Sequence, residues 1–356
     1  MAGFLYGYPN RGVAGVTRRA IDDLAAGAGY PVAPCFMRKF LRRLLGIALS
    51  PVLALTAPIY ALAARTGIGA AWCRRFGWQP IRVHFYQPIP EYEKIPPAYF
   101  EVPRSMPGVR FDEGSLPATL ESLGAYATEC RWPEGETPEG VYSATNGAFG
   151  FTSAALLHGM IRSGRIRRVI EIGCGFSTLI TLDALRLNAG DGMQGVALTC
   201  IEPFPAQWLR KTLSKAAIPV ELITSGAETV GMAHFESLGE GDLLFIDSSH
   251  VAKLGSDVNF LFLEVLPRLR AGVLVHVHDI YLPYEYPAIH FFGENKIYWN
   301  EQYILQAFLA CNNRTQILVP GFFALRHHTE AFRAAFPQYD PVRHRPTSSF
   351  WFKFVE

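Results

Sequence analysis

The sequence predicts an α/β fold in which a mostly parallel sheet presents polar residues along one edge. The apolar run 169–172 leads directly into a turn that contains Gly173 and Gly175. Two later apolar runs end in polar tips that contain Asp247 and Asp279. Short β-branched runs are typical of buried parallel strands, and ligands bind at the carboxyl ends of such strands. We therefore expect the chemistry of this protein at that edge.

The remaining elements follow from periodicity and from turn residues. Strands are predicted at 169–172, 196–201, 220–223, 242–246, 272–277, 316–319 and 349–355. Helices are predicted at 206–217 and 299–311, and the second of these carries apolar residues along one face. The pattern predicts a sheet of seven strands with helices packed on it.

Composition and charge narrow the class of protein. The chain has 356 residues and 49% hydrophobic content, enough for one large domain and an accessory part. The formal net charge of +2 and the scattered basic residues argue against a nucleic-acid partner, although a local basic cluster occurs at 38–43. The six cysteines contain no Cys-x-x-Cys pair, which favours a reducing compartment without structural zinc. The oligomeric state is not indicated by the sequence.

The glycine turn favours a cationic ligand over a dinucleotide. A dinucleotide fingerprint has a third glycine, whereas this chain has Ser177 at that position. Glu171, directly before the glycines, would oppose a pyrophosphate and would favour a cation. Ser177 or Thr178 could cap the helix that follows. S-adenosylmethionine is a ligand with the required positive charge.

At these residues the chain resembles the class I S-adenosylmethionine-dependent methyltransferases, whose first motif is an acidic residue followed by Gly-x-Gly. Glu171, Gly173 and Gly175 match that motif. The resemblance implies a Rossmann-like sheet of seven strands whose last strand is antiparallel. It also implies a set of cofactor-binding residues beyond the turn. The matching positions are Glu202 at the ribose, Ala227 and Glu228 near the adenine, Ser177 in the first motif, and Asp247 after the fourth strand.

Acidic and imidazole side chains follow two strands that should be neighbours in this fold. They are Asp247, His250, His276, His278 and Asp279. In one interpretation Asp247, His278 and Asp279 hold a divalent metal that acidifies an acceptor hydroxyl. Metal-dependent O-methyltransferases have an acidic or amide pair where this chain has His278 and Asp279. An imidazole at that position favours manganese, iron, zinc or nickel over magnesium.

A second interpretation needs no metal. His250 or His278 would take the proton of the acceptor, while Asp279 or Asp247 orients the imidazole. His250, His278 and Asp279 are therefore the candidate catalytic residues. His276 could instead point into the sheet or its flank, because side chains alternate along a strand.

Further segments resemble a poorly characterised bacterial group of methyltransferases. The segments are 85–90, 146–150, 278–283 (an HDI-(F/Y)-LP signature) and 299–303 (WNEQY). Proteins of this group often have an acid where this chain has Thr152. The resemblance implies that segment 85–90 folds back over the cofactor or acceptor pocket.

The N-terminal part differs from the rest in composition. No charged residue occurs between Arg43 and Arg65, and segment 44–64 is just long enough to cross a bilayer. Pro51 and Pro58 should interrupt a helix there, which favours a shallow or re-entrant membrane anchor over a spanning helix. A helix buried against the catalytic domain is the alternative. The predicted domains are an N-terminal helical segment at 1–76, an extended connector or cap at 77–145, and a methyltransferase domain at 146–356.

Together these observations predict an S-adenosylmethionine-dependent methyltransferase that acts on an oxygen of a small-molecule, sugar or lipid-linked acceptor. The alternatives are a metal-dependent oxygenase or hydroxylase on the same sheet, and a non-catalytic binding protein. The predicted location is the cytoplasm, with a peripheral position at the inner membrane face as one option.

Overall fold

The computed structural model describes residues 35–66, 70–79, 81, 84–91, 94–292 and 296–356. The chain forms two compact units, Met1–Glu91 and Tyr92–Glu356. Residues 94–145 belong to the same unit as the sheet, so the division of the chain differs from the predicted boundaries at 76/77 and 145/146. Segment 1–34 of the predicted N-terminal domain lies outside the described residues.

The N-terminal unit contains helix α1 (Cys35–Thr66) and the short helix α2 (Ala70–Arg75). The expectation that two prolines interrupt α1 is wrong, because the helix continues through Pro51 and Pro58. Pro51 cannot donate to the carbonyl of Ile47, and the hydroxyl of Ser50 donates to that carbonyl instead, at 2.7 Å. Side-chain hydroxyls therefore replace part of the missing backbone bonding.

Within the part of the chain that the structure describes, one helical stretch is long and apolar enough to cross a membrane. It is Leu44–Ala63, with 20 residues and a mean hydropathy of 1.8. None of this stretch is buried.

The second unit begins with short 3₁₀ turns and helices and continues with alternating strands and helices. Its strands are β1 (Arg168–Ile172), β2 (Ala197–Ile201), β3 (Val220–Ile223), β4 (Leu243–Ile246), β5 (Leu274–Val277), β6 (Thr315–Pro320) and β7 (Phe350–Phe354). Its α-helices are α3 (Leu116–Gly124), α4 (Phe151–Ser163), α5 (Phe176–Gly190), α6 (Gln207–Leu213), α7 (Met232–Glu236), α8 (Asp257–Phe260), α9 (Ala288–Phe292), α10 (Glu301–Leu309), α11 (Gly321–His327) and α12 (Thr329–Ala335). The 3₁₀ turns are Pro97–Phe100, Glu113–Ser115, Ala127–Glu129, Ala227–Thr229 and Leu266–Arg268, and Leu261–Val265 forms a π-helical turn.

The strands form one seven-stranded sheet in the order β3-β2-β1-β4-β5-β7-β6. The pairs from β3 to β5 are parallel, and β7 runs antiparallel to both β5 and β6. The predicted fold is thereby confirmed, including the antiparallel last strand. The predicted strand at 220–223 matches β3, and the other strand boundaries agree to within two residues.

The sheet is covered on both faces, which explains why the central strand β4 is apolar throughout. Along β4, Leu243 and Phe245 face one hydrophobic core, and Leu244 and Ile246 face another. Side chains alternate across a strand, so a strand with two covered faces needs an unbroken apolar run. Chemistry is left to the residues directly after each strand.

The predicted connector at 77–145 contains more regular structure than an extended chain. Helix α3 lies within it and buries Leu116, Leu120 and Leu123 in the core. The spacing of these leucines places them on one helical face. This part of the chain therefore contributes to the core of the second unit.

Candidate active site

The turn after β1 packs against the end of β4. Gly173 has a φ of +80°, and a Cβ at this position would collide with the carbonyl of Asp247. The amide of Asp247 donates to the carbonyl of Ile172 at 2.9 Å. Only glycine combines this backbone conformation with such a close approach. The turn and the tip of β4 thus form one continuous surface.

Gly175 gives this surface an open stretch of backbone. A Cβ built on Gly175 would meet no atom within 4 Å, in contrast to Gly173. Gly175 is also the N-cap residue of α5, so the positive end of the helix dipole lies beside the open space. A ligand can therefore approach the main chain here.

Glu171 supports the glycine turn through hydrogen bonds to the first turn of α5. Its side chain is fully buried, and its Oε1 accepts hydrogen bonds from the hydroxyls of Ser177, at 2.6 Å, and Thr178, at 3.0 Å. Thr178 Oγ1 also accepts the amide of Gly175, at 2.9 Å. Ser177 and Thr178 are consequently in the first turn of α5 and do not form its N-cap. Burial raises the pKa of Glu171 to about 8, although the two hydroxyl bonds oppose that shift.

Glu202 lies at the end of β2 and faces the same turn. Its Oε2 accepts the amide of Cys174 at 3.2 Å, and its Oε1 accepts the amide of Phe204 at 2.7 Å. Burial raises the pKa of Glu202, while these two amides lower it in part. Each carboxylate oxygen has a second lone pair, so both can still accept a hydroxyl of a ligand.

Ala227 and Glu228 follow β3 in the turn Ala227–Thr229. Ala227 is buried, whereas Glu228 is exposed and its carboxylate lies close to Gly226. The structure places both residues at the carboxyl end of β3, which is paired with β2. The predicted cofactor-binding positions therefore occur along the ends of β1, β2, β3 and β4.

The tips of β4 and β5 bring two carboxylates and two imidazoles together. Asp247 Oδ1 lies 3.4 Å from His250 Nε2 and 3.4 Å from His278 Nδ1. Asp279 lies 3.6 Å from the same two nitrogens, through Oδ2 to His250 and through Oδ1 to His278. Both imidazoles are nearly buried, and both carboxylates are about one fifth exposed. We refer to Asp247, His250, His278 and Asp279 as the acid–imidazole cluster.

Each imidazole of the cluster is held from behind by a group that sequence analysis missed. His250 Nδ1 bonds to Oε2 of the fully buried Glu301 at 2.8 Å. His278 Nε2 lies 3.2 Å from the hydroxyls of Ser153 and Ser348. Glu301 is separated from His250 by 51 residues in the chain, so spacing could not reveal this pair. Its position inside the recurring segment 299–303 was the available signal.

The backbone positions the cluster through two residues with a left-handed conformation. His250 and Asp279 both have a φ of +59°. The carbonyl of His250 accepts the amides of Asn300, at 3.1 Å, and Glu301, at 3.2 Å, so the start of α10 fixes this loop. Non-glycine residues with positive φ are uncommon, and they concentrate at functional sites.

The charges of the cluster oppose the effect of burial. Burial lowers the pKa of His250, but Asp247, Glu301 and Asp279 outweigh it and raise the pKa well above its usual value. The pKa of His278 is likewise raised, because Asp247 and Asp279 outweigh its burial. Burial also raises the pKa of Asp247, and the two imidazoles reverse this and lower it. Positive charge between the carboxylates is thus favoured.

His276 does not take part in the cluster. It is fully buried between Phe245 and Trp351, with ring centroids at 4.2 and 4.1 Å. These residues are register partners on β4, β5 and β7. Neither ring nitrogen of His276 has a hydrogen-bond partner within the described structure, and burial holds its pKa well below the usual value. His276 is therefore a packing residue on β5, between its register partners on β4 and β7.

Three donor atoms of the cluster lie close enough together that they could hold a metal ion. One atom each from Asp247, His250 and Asp279 lie within 4.8 Å of one another. Separations of 3.4–3.6 Å are long for N–H···O hydrogen bonds. They are close to the edge of a coordination polyhedron, which is about 3.0 to 3.4 Å for metal–ligand bonds of about 2.1 Å. His250 joins Asp247 and Asp279 in this set, whereas the sequence had suggested His278.

Comparison with known proteins agrees with this architecture. The model of a family described as a methyltransferase domain matches residues 170–280. An uncharacterised protein from Archaeoglobus fulgidus is 30% identical over 166 residues, which cover 44% of this chain and 72% of that protein.

Solved structures with a similar arrangement include two that contain S-adenosylhomocysteine (SAH). The cmcI structure is 13% identical, covers 65% of this chain and 91% of that chain, and has a TM-score of 0.34. The plantazolicin methyltransferase BpumL is 10% identical, covers 68% of this chain and 97% of that chain, and has a TM-score of 0.31. Both TM-scores are below 0.5, and both identities are below 25%. The identity to the archaeal protein, over 72% of its length, shows that the chain belongs to the family of that protein. The domain match and the seven-stranded sheet identify the chain as a class I S-adenosylmethionine-dependent methyltransferase.

Proposed function

We propose that this enzyme transfers the methyl group of S-adenosylmethionine to an oxygen of a small-molecule, sugar or lipid-linked acceptor. One observation carries the proposal: the glycine turn packs directly on Asp247, whose side chain belongs to the acid–imidazole cluster. A cofactor on the turn and an acceptor hydroxyl at the cluster would be neighbours. Holding two reactants in such an arrangement supplies a large part of the rate of a methyl transfer.

The cofactor would lie along the ends of the first four strands. Gly173 and Gly175 would present bare backbone, and Glu202 would accept the ribose hydroxyls through its remaining lone pairs. Ala227 and Glu228 would border the adenine. S-adenosylmethionine supplies a methyl group on a positively charged sulfur. The carboxylates of Glu202 and Asp247 favour that charge at this edge.

Glu171 and Ser177 would act on the cofactor through the turn. Both are buried, and the hydrogen bond between them fixes the first turn of α5. Their predicted role as cofactor-binding residues is therefore proposed as positioning of the glycine backbone.

The acid–imidazole cluster would handle the acceptor proton. As a C–O bond forms and the S–CH₃ bond breaks, the hydroxyl must lose its proton. We propose that Asp247, His250 and Asp279 hold a divalent metal, with His278 beside them. A metal at this position would lower the pKa of a bound hydroxyl. The carboxylate and imidazole donors suit manganese, iron, zinc or nickel.

A mechanism without metal uses the same residues. Glu301 fixes the Nδ1 side of His250, so Nε2 points toward the carboxylates and could receive the proton. His278 is the second candidate for this general base, oriented by Ser153 and Ser348. Metal content and activity together decide between the two mechanisms.

Two further proposals concern the setting of the enzyme. The segments 278–283 and 299–303 support membership in the poorly characterised bacterial group with the HDI-(F/Y)-LP and WNEQY signatures. The exposed apolar stretch Leu44–Ala63 supports membrane association, with the catalytic unit in the cytoplasm. A membrane location would favour a lipid-linked acceptor.

Calorimetric titration with S-adenosylmethionine tests the cofactor part directly. We expect saturable binding by the full chain, and Glu202→Ala should weaken it by roughly 1.5 to 3 kcal/mol, a factor of roughly 10 to 150 in Kd, because two charge-assisted hydrogen bonds are lost. Glu221→Ala, at an exposed position on β3, is the matched control and should leave Kd unchanged. Absence of binding at millimolar ligand would contradict the proposal. Mass spectrometry of metabolites from a deletion strain, compared with the parent, would then identify the acceptor.

A further inference from the structure

Helix α1 has the dimensions of a membrane-spanning helix. Its 32 residues correspond to about 48 Å at 1.5 Å per residue. The apolar stretch Leu44–Ala63 covers 20 of these residues, about 30 Å, which equals the thickness of the hydrocarbon core of a bilayer. A re-entrant anchor would need a break in this stretch, and the helix has none.

Two hydroxyls inside the stretch bond to carbonyls of the helix itself. Ser50 donates to the carbonyl of Ile47, which Pro51 leaves without its usual partner. Thr56 donates to the carbonyl of Val52 at 2.9 Å. A spanning segment requires that backbone groups be bonded internally, and Ser or Thr hydroxyls commonly meet this need beside a proline. The hydroxyls are therefore compatible with a lipid environment.

The flanks of the stretch carry the residues that favour a membrane interface. Arg38, Lys39, Arg42 and Arg43 precede it in the sequence. On the other side Arg65, Arg74 and Arg75 are exposed. Exposed aromatic side chains follow within a few residues: Trp72, Phe76 and Trp78. The guanidinium of Arg75 lies 4.6 Å above the ring of Trp72. Trp is enriched at both interfaces of spanning helices, and Lys and Arg side chains near the ends of such helices extend to the headgroups.

A lipid bilayer is the occupant that explains these features together. Large side chains such as Ile47, Leu53, Leu55 and Ile59 are exposed on the helix, far beyond what a soluble helix normally presents to water. A second copy of the chain could cover one side of α1. It would leave the remaining apolar circumference exposed and would not explain charged residues at both ends.

We infer that Leu44–Ala63 crosses the bilayer as a single continuous helix. The basic segment 38–43 then lies at one membrane surface, and the segment around Trp72 and Trp78 lies at the other. This inference rests on the proposed membrane association of the N-terminal unit, and it is independent of the proposed reaction.

Two native cysteines flank the stretch and allow the crossing to be tested in the full chain. Cys35 precedes Leu44 by nine residues, and Cys73 follows Ala63 by ten. Sealed membrane vesicles from expressing cells would be treated with a membrane-impermeant maleimide, and labelled peptides would be quantified by mass spectrometry. We expect one of the two cysteines to be labelled in sealed vesicles and both after detergent opens them. Labelling of both from the same side would overturn the crossing and would leave membrane association intact.

Membrane association itself needs a separate measurement. Purified full-length protein should float with vesicles of phosphatidylcholine and phosphatidylglycerol and should resist extraction by high salt and by alkaline carbonate. Leu53→Lys, in the middle of the stretch, should lose carbonate resistance, whereas Leu254→Lys, at an exposed position of the catalytic unit, should keep it. If carbonate releases the wild-type protein from the vesicles, α1 is a peripheral anchor and does not cross the bilayer. Failure to float, with a soluble oligomer that Leu53→Lys dissociates, would assign the helix to a second copy. Titration with S-adenosylmethionine reports on the cofactor site in every case.

Discussion

The ends of β1 and β2 and the ends of β4 and β5 lie at the same edge of the sheet, but their polar groups are satisfied in different ways. Around the glycine turn, Glu171 and Glu202 accept hydrogen bonds of 2.6–3.2 Å from groups of the chain itself. In the acid–imidazole cluster the carboxylates and imidazoles face one another at 3.4–3.6 Å. The turn is bonded within the chain, with Glu171 Oε2 left without a partner in the described structure, whereas the contacts inside the cluster are longer than hydrogen bonds.

This difference indicates two kinds of site. The carboxylates at the turn stabilise a backbone shape that a cofactor can meet, so their contribution is made before binding. The cluster instead keeps oxygen and nitrogen donors apart around a common centre, which costs electrostatic free energy unless a cation or protons occupy it. Variants that remove charge should therefore have their largest effects at the cluster.

The double variant Asp247→Asn, Asp279→Asn should have the largest effect on metal binding and turnover. We expect the double variant to lose bound metal completely and to lose turnover, because the amides no longer supply the negative charge that retains a divalent ion. Elemental analysis of protein purified without an affinity tag measures occupancy. Asp183→Asn, at a partly exposed position on α5, is the control. Wild-type enzyme that is active while free of metal would support the general-base mechanism instead.

Glu301→Gln should have the next largest effect. The amide keeps the shape of the side chain but removes the charge that orients the His250 imidazole through Nδ1. Groups that support a metal-binding histidine in this way are worth about 10 to 100-fold in metal affinity. Titration of the metal-free protein with Mn²⁺ measures the change, and Glu264→Gln on the exposed surface is the control. Equal affinities of the variant and wild type would show that Glu301 has a structural role only.

His276→Phe should have the smallest effect and should act on stability alone. The pKa of His276 in the folded state is well below its usual value of 6.5. As the pH falls below 6.5, His276 is therefore protonated in the unfolded chain but stays neutral in the folded chain, which favours unfolding. Wild type should therefore lose up to about 1.4 kcal/mol of stability per pH unit below that value, through this residue. The phenyl ring of the variant cannot titrate, so the stability of the variant relative to wild type should increase as the pH falls below 6.5.

Thermal unfolding of both proteins on either side of pH 6.5 checks this last prediction. Cofactor binding by the folded variant should be unchanged, because His276 stacks in the flank of the sheet. A constant difference in stability across the pH range would mean that His276 is not buried in its neutral form.

The sequence predicted the contacts between residues that directly follow parallel strands, because the carboxyl ends of such strands meet at one edge of the sheet. The apolar runs that end at Asp247 and Asp279 predict two strands. The strand order of the fold makes these strands neighbours, so their carboxyl ends lie together. The sequence could not predict the part of the cluster made by side chains from distant loops. His250 follows Asp247 by three residues and was named from the sequence, whereas Glu301 lies 51 residues further along and reaches His250 from the start of α10.

Local compensation accounts for the error at Pro51 in α1. A proline in a sequence indicates a lost hydrogen bond, and the expectation of a break follows from that loss. Whether a neighbouring hydroxyl replaces the bond depends on its rotamer. The bond from Ser50 to Ile47 is such a case, and it becomes visible only in three dimensions.

The packing of Gly173 on Asp247 has a thermodynamic consequence. Asp247 contributes its main chain to the support of the glycine turn and its carboxylate to the acid–imidazole cluster. A shift of this residue on occupancy of one of the two proposed sites would be felt at the other, so the two occupancies would be linked. Linkage is reciprocal: the factor by which a cation at the cluster changes the affinity for the methyl donor equals the factor by which the donor changes the affinity for the cation.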